Sequence, residues 1–521
     1  MAADRYELCI IGAGIAGALL AVTAARQGRK VLLVEAGNRF PLEGRRQLLR
    51  RYDTLGGLYV PWQHPGRDRY VDSSGQSIGY PYELERYRAK GVGGSTLHWG
   101  GRAQRLMPSD FRTASTYGLG TDWPLSYDEL EPYYCAAEWE IGVSGSPHTL
   151  QAPRSRDFPM PGFPFSPDER MWLPIAQKMD IELYSAPFAI NSMPYAGRTS
   201  CKAYSACNIC PSGARYCADI HVAEAEKTGN CVLLTETVAR RIDLNASGTV
   251  TRIHATTLDG RDLEVQADRY VIAAHGVESA RLLLLSKCGN HSDQVGRNFM
   301  EHPFIKAAGY VPTRQFYPDV VGFERLESMS FYEGKDRQKR GAFKLEFEFS
   351  YDPLRDMEFD HLWGDALARH DQKLFGHWLG INVETEMQGN ADSRVTLDSK
   401  AKDMFGDPVP HLRIAFCDTD IRTQRRALQV ATELLQAAGA QDIRPIGPNG
   451  LSFPAHHMGT CRMSKDPDAG VVDRDCRVHG TSNLYVVGSS VYPTGGGCNP
   501  TLTIAALSLR LADHLLQSNA S

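Results

Sequence analysis

Four cysteines fall within seventeen residues: Cys201, Cys207, Cys210 and Cys217, in the run CKAYSACNICPSGARYC. The spacing is C-x5-C-x2-C-x6-C, with Pro211 directly after the third cysteine, as also happens in ferredoxin-type iron–sulfur runs. Cys207 and Cys210 by themselves make half of a zinc site, and free thiols or disulfides are a third reading. The other eight cysteines are scattered through a chain of 521 residues, which needs no staples, so the clustering is the informative fact. A second reactive set lies near the C-terminus, where His456-His457-Met-Gly459-Thr460 is followed by Gly495-Gly-Gly-Cys498-Asn499-Pro500-Thr501. An imidazole can take the proton of a hydroxyl, and an amide can hold the oxygen without changing its own charge. Any one of the sixteen histidines is by default a surface or packing residue, so His456 and Asn499 have meaning only if the fold brings them to a cofactor.

The elements that must do this are legible. Glu7 to Ile11 reads as a strand, Gly12-Ala-Gly14-Ile-Ala-Gly17 as a tight turn, and the residues through Ala25 as a helix. A second strand, Lys30 to Val34, ends in Glu35, 23 positions after Gly12. This is a dinucleotide fingerprint: the glycines admit a pyrophosphate to the helix N-terminus, and the acid meets a ribose diol. Ala36-Gly37 after the glutamate leans toward FAD over NAD. Thr235 to Ile242 and Arg269 to Ala274 read as further strands, and Glu278 to Ser286 as a helix of the same domain. Gly91 to Gly101 holds five glycines in eleven residues and contains Gly93, Gly94, Ser95 and His98; such backbone can lie flat against a planar ligand. Asn483 to Ser490 reads as a buried strand turning at Gly488 and Ser489. Directly after Asn499-Pro500-Thr501, Leu502 to Leu516 reads as a helix whose free N–H groups and positive dipole end suit the negative charge of a reduced flavin.

Composition sets outer bounds. Hydrophobic content of 42% and charged content of 23% are those of a globular protein, and a net charge of −4 gives no electrostatic reason to expect nucleic acid or an anionic membrane. No run of about 18 apolar residues predicts a transmembrane helix. The N-terminus carries no signal-peptide pattern, which by itself predicts the cytoplasm. Residues 67–80 and 150–198, rich in Pro, Gly, Ser and polar types, predict long surface excursions. Trp62, Trp99, Trp363 and Trp378 are aromatic platforms on which a ligand face could stack, although a tryptophan is by default a core residue.

The chain as a whole resembles the glucose-methanol-choline oxidoreductases, FAD enzymes that oxidise alcohols and sugars. The resemblance rests on GAGIAGALLA with VLLVEAG, GVGGSTLHWGG, YVIAAHGVESARLLLLS, VGRNFMEHP, and HHMGTCRM through NPTLTIAAL. It implies an α/β fold: a Rossmann-like FAD-binding domain over 1–312, interrupted by insertions at about 67–80 and 110–220, an antiparallel-sheet substrate domain over 313–445, and a return to the first domain over 446–521. It assigns His456 as the catalytic base and Asn499 as its partner. Val238 and Gly276 match positions near the adenine, and Gly488 to Ser490 the flavin-contacting strand end. His98 aligns with the residue joined to the flavin in pyranose 2-oxidase, although the local sequences differ.

Within the family the chain is most similar to the flavin-bearing subunits of bacterial membrane-linked sugar dehydrogenases. That implies an iron–sulfur cluster, [3Fe–4S] or [4Fe–4S], on the four cysteines. It also implies a small signal-bearing subunit, a cytochrome c-type acceptor, a membrane reached only through partners, and a periplasmic location by co-export. The cysteine pattern departs from the glucose dehydrogenase group, which has adjacent cysteines where Cys201 stands alone. The expected substrate is a pyranose sugar or glycoside, with a lean toward carbon 3 of a glucoside. The alternatives are a lactone-forming glucose 1-dehydrogenase and a sugar oxidase that uses oxygen.

Overall fold

The computed structural model describes residues 6–47, 62–203, 209–316, 325–349, 363–374, 376–447 and 450–517. Its first layer is a parallel sheet in the order β10-β4-β1-β2-β3, from β1 (Tyr6–Ile11), β2 (Val31–Val34), β3 (Cys231–Leu234), β4 (Ala267–Ile272) and β10 (Leu484–Val486). These strands are short apolar runs because helices cover the sheet. Helix α1 (Ile15–Arg26) is buried nearly all round and packs on α3 (Thr501–Gln517). The two ends of the chain thus close one domain.

The second layer is an antiparallel sheet. Its order is β9-β5-β8-β7-β6 followed by Tyr184–Ser185, from β5 (Phe304–Tyr310), β6 (Leu326–Ser328), β7 (Phe343–Phe349), β8 (Trp378–Thr385) and β9 (Gln441–Pro445). Leu451–Ser452 adds to the far side of β5. Strand β7 alternates strictly. Phe343, Leu345 and Phe347 point into an apolar core with Leu379, Ile381 and Val383 of β8, and helix α2 (Asp418–Ala437) covers that face. Lys344, Glu346 and Glu348 point the other way, and the register sets Lys344 opposite Glu384 and Glu346 opposite Asn382. In an isolated sheet that polar face would meet water. Here it is the inner wall of a cavity, and Lys344 and Glu384 are fully buried.

The expectation that 67–80 and 150–198 lie on the surface holds only in part: Gln76, Ser155 and Met193 are exposed. Arg67 and Asp68 are buried, as are Trp172 and Phe188. The polar residues are inside because they pair: Arg67 holds both oxygens of Asp68 at 2.8 Å. A buried charge is tolerated when it is paired and hydrogen-bonded, and composition alone does not show the pairing.

Candidate active site

A cavity of about 1010 Å³ runs between the two layers. At one end it is bounded by Gly12, Gly14, Glu35 and Val238, then by Gly94, Ser95 and His98, and at the other end by His456, Gly488, Ser489, Asn499 and Thr501. The glycines are there for close approach. Gly12 has φ +105°, and a Cβ on it would come within 2.4 Å of the Ala273 carbonyl oxygen. Gly17 lets α1 close down on Gly12, and Gly94 lies so near Gly14 that a Cβ would stand 2.8 Å from its Cα. Gly93, φ +107°, donates its N–H to the Ala13 carbonyl at 2.9 Å. The two glycine motifs therefore clamp each other.

Glu35 is buried and accepts N–H bonds from Ala13 (2.8 Å) and Gly37 (2.9 Å), one on each oxygen. His98 stacks on Trp62 with ring centroids 5.2 Å apart, and its Nε2, on the cavity wall, has no protein partner. Burial, helped by Arg215, lowers His98 to about 4, so its ring is neutral. A long cavity with a glycine cradle, a helix N-terminus, an acid at the adenosine end and an unpartnered buried imidazole fits FAD. Gly276, by contrast, lies against His457, where a Cβ would meet the carbonyl oxygen at 2.4 Å. Of the four tryptophans, Trp62 and Trp99 line the cavity, Trp378 packs in a small cluster with Ala308 and Ile446, and Trp363 is 85% exposed.

At the other end a chain of polar contacts holds His456. Its Nε2 lies 3.1 Å from Asn499 Nδ2. Asn499 Oδ1 accepts from the Lys344 ammonium at 2.6 Å. On the far side of the ring, His456 Nδ1 is 3.2 Å from Glu384 Oε1 and 2.9 Å from His302 Nδ1, which is itself 2.7 Å from the same carboxylate oxygen. Lys344 reaches Glu384 Oε2 at 3.0 Å, Glu346 at 2.9 Å and Gln104 Oε1 at 2.8 Å. Burial works against the Lys344 charge, but Glu346 and Glu384 outweigh it and raise this lysine above its usual range. Burial likewise opposes the Glu384 charge, and Lys344, His456 and His302 outweigh it and hold the carboxyl well below the usual range. His302, Glu384 and His456 form a group compact enough for a metal ion, but its carboxylate already has a cation in Lys344.

The segments reach this arrangement by pairing. Met300 and Met458 exchange N–H bonds at 3.0 and 2.9 Å, which sets Glu301-His302 beside His456-His457. Glu301, fully buried, accepts the backbone N–H groups of His302 (2.9 Å) and His456 (2.5 Å) on one oxygen, and the Tyr82 hydroxyl (2.6 Å) on the other. His457 is in a separate chain. His275 Nδ1 accepts from the Val277 N–H, so its Nε2 donates to His457 Nδ1 at 2.8 Å. His457 Nε2 then donates to the Tyr82 oxygen at 2.6 Å. Burial lowers His275 to about 3 and pushes His457 well below the histidine range. His457 is a neutral structural link, although both it and His456 line the cavity.

The glycines before Asn499 serve packing: a Cβ on Gly496 would stand 2.3 Å from the Tyr332 hydroxyl, which accepts the Gly497 N–H at 2.8 Å. Sequence reasoning missed Lys344, Glu384, Glu346, Glu301, His302 and Tyr82. The alternation in FKLEFEFS was a signal, since Lys344 and the glutamates share one face.

The cysteines occupy two environments. Cys201 accepts the Ala203 N–H at 3.4 Å, and Cys210 accepts that of Arg215 at 3.5 Å and faces the Ser212 hydroxyl at 3.5 Å. Burial raises Cys210, but Ser212 and Arg215 outweigh it and the thiol ends below its ordinary value. Cys217 is buried among Trp62, Leu97 and Ile209. Burial, reinforced by Asp219, pushes it up to about 11. Cys207 lies outside the described residues. Among these three, Cys210 is the one poised as a thiolate; burial raises Cys201 as it does Cys217, which packs under the flavin loop. Among the described residues, no three cysteine sulfurs lie within 4.8 Å of one another, as a single tetrahedral ion would require.

Comparison with known proteins bears on the chain as a whole. Two family models described as GMC oxidoreductase match residues 177–304 and 389–508, and a NAD(P)-binding Rossmann-like domain matches 10–43. The chain is 32% identical to the fructose dehydrogenase large subunit of Gluconobacter japonicus, over 98% of this chain and 97% of that one. It is 30% identical to the 6'''-hydroxyparomomycin C oxidase of Streptomyces lividus, over 100% of this chain and 94% of the relative. Among solved structures, a pyridoxine 4-oxidase from Mesorbium loti superposes with a TM-score of 0.69 at 20% identity, covering 98% of this chain and 99% of the other. At that identity the likeness concerns the fold.

Proposed function

The chain belongs to the GMC oxidoreductase family, and on that footing we propose that it oxidises a ring hydroxyl of a sugar or glycoside and passes the electrons to a partner protein. It is a FAD-dependent enzyme acting on CH–OH donors. FAD, when bound, supplies the hydride acceptor. His456 Nε2, on the cavity wall and 3.1 Å from Asn499 Nδ2, takes the hydroxyl proton, and the amide N–H holds the oxygen as its charge grows. This pair is the observation that carries the proposal. The wall beside it exposes Arg102, Glu346 and Asn382 to the cavity, donors and acceptors that suit a substrate with several hydroxyls. The relatives named for fructose and paromomycin support a sugar-like substrate; the lean toward carbon 3 of a glucoside stays a proposal.

The relative named as a large subunit supports a partner subunit for this chain; co-export to the periplasm and a cytochrome acceptor are further parts of the proposal. An iron–sulfur cluster would draw on Cys210 first, with Cys201 and Cys207 as the further sulfurs that the C-x5-C-x2-C run offers. The test is turnover of D-fructose, D-glucose and methyl α-D-glucoside with a dye acceptor, oxygen uptake recorded in parallel and products read by NMR. Sugar-dependent dye reduction without oxygen uptake supports the proposal, and a 3-keto product from the methyl glucoside fixes the carbon. No reaction with any sugar, or oxygen consumption equal to dye reduction, overturns it.

A further inference from the structure

The described proton chemistry needs His456 to present a bare Nε2, and the residues that enforce this lie on the second sheet. An ammonium can only donate. The atom that faces Lys344 at 2.6 Å is therefore the Asn499 oxygen, which turns the amide nitrogen toward His456. The Asn499 Nδ2–H must donate to His456 Nε2, so the ring proton sits on Nδ1. There His302 Nδ1 lies at 2.9 Å, and an ionised carboxylate, which can only accept, at 3.2 Å on Glu384. His302 directs its own Nδ1 to the same oxygen at 2.7 Å. The path Lys344, Asn499, His456, Glu384 closes on itself, because Lys344 also holds the second oxygen of Glu384 at 3.0 Å.

We propose that Lys344 is the positioning residue for proton abstraction: it sets the orientation of the Asn499 amide and, through it, the tautomer of His456. The inference rests on His456 being the base. Lys344 touches neither base nor substrate and works through Asn499 and Glu384. The groups that face His456 are Glu384 from β8, His302 and the Glu301 carboxylate from the 301–302 turn, Asn499 from the loop before α3, and its neighbour His457, with Lys344 on β7 behind Asn499. Lys344 is the cation among them that neutralises Glu384. Without it the amide can flip and offer oxygen, and the uncompensated carboxylate favours a protonated ring. Both changes leave less free base.

The test uses Lys344→Met and, because the single change leaves buried carboxylates uncompensated, Lys344→Met with Glu346→Gln. Ring ¹⁵N shifts of histidine-labelled protein report the tautomer directly, with the His456 signals identified by their loss in His456→Gln. The wild type should show Nδ1–H with Nε2 bare. At least one lysine variant, folded and with FAD bound, should show Nε2 protonated. In the same variant the acid limb of sugar-dependent flavin reduction should move up by about 1 pH unit or more, as expected when an opposite charge at 4–6 Å is no longer balanced. The same bare Nε2 in the wild type and both variants, with an unmoved limb, overturns the inference. If His456→Ala reduces its flavin as fast as wild type, the assignment of the base fails instead, and the two failures are distinct.

Discussion

The two ends of the cavity are built on opposite principles. The nucleotide end is made largely of backbone: Gly12, Gly17, Gly93 and Gly94 approach until no Cβ fits, and Glu35 is buried and satisfied by two N–H groups. The hydroxyl-oxidising end is made of charge: Lys344, Glu327, Glu346, Glu384 and Arg102 lie buried together on and beside the second sheet. The first end tolerates no added atom, and the second tolerates no missing partner. Removing one member of a buried charge pair leaves the other uncompensated, which typically costs about 3–5 kcal/mol.

Substitutions at each end should fail differently. The largest effect is expected at Gly94→Ala. Its φ of +54° and the 2.8 Å approach of a Cβ to Gly14 Cα force the two glycine motifs apart. The protein should be purified without yellow colour and therefore without activity; FAD content measured after acid release checks this, and a normal flavin load would show that the clamp is dispensable. Next comes His456→Ala, which should keep its FAD and lose about 10²–10⁴ in the rate of flavin reduction by sugar. Stopped-flow absorbance of the flavin separates the two cases. If His456→Ala loses flavin as well, the ends are not independent and the comparison breaks.

The contrast also explains what the sequence disclosed. Gly12 to Glu35 is a local pattern in which spacing alone encodes geometry, and the strands, α1 and the helix Glu278–Ser286 fell where the pattern put them. The helix after Asn499 begins at Thr501, one residue before the Leu502 start read from the sequence. The charged end was not legible, because its residues come from 102, 301–302, 327, 344–346 and 384 and meet only through sheet register and the Met300–Met458 pairing. A strand that reads FKLEFEFS predicts one apolar and one polar face, and nothing in it says whether the polar face meets water or a second domain. The buried pair Arg67–Asp68 went unseen for the same reason.

The smallest effect should separate the cysteines. Cys210 is partly accessible and, with Ser212 and Arg215 beside it, titrates below an ordinary thiol, whereas Cys217 is held up to about 11 by burial and Asp219. The thiolate is both the nucleophile and the metal ligand. In metal-free protein at pH 7.5, iodoacetamide should therefore modify Cys210 well before Cys217, a difference read by peptide mass spectrometry. The same logic applies to the proposed iron–sulfur cluster: Cys210→Ala should lower its iron, while Cys217→Ala should leave iron and sulfide content unchanged and cost only a small shift in Tm, since the side chain packs as a compact apolar group under Gly93. Loss of iron in Cys217→Ala would place its sulfur in the metal site after all. It would then make the cysteine segment a continuation of the flavin loop, through the Arg215 guanidinium that already donates to the Leu97 carbonyl at 2.8 Å.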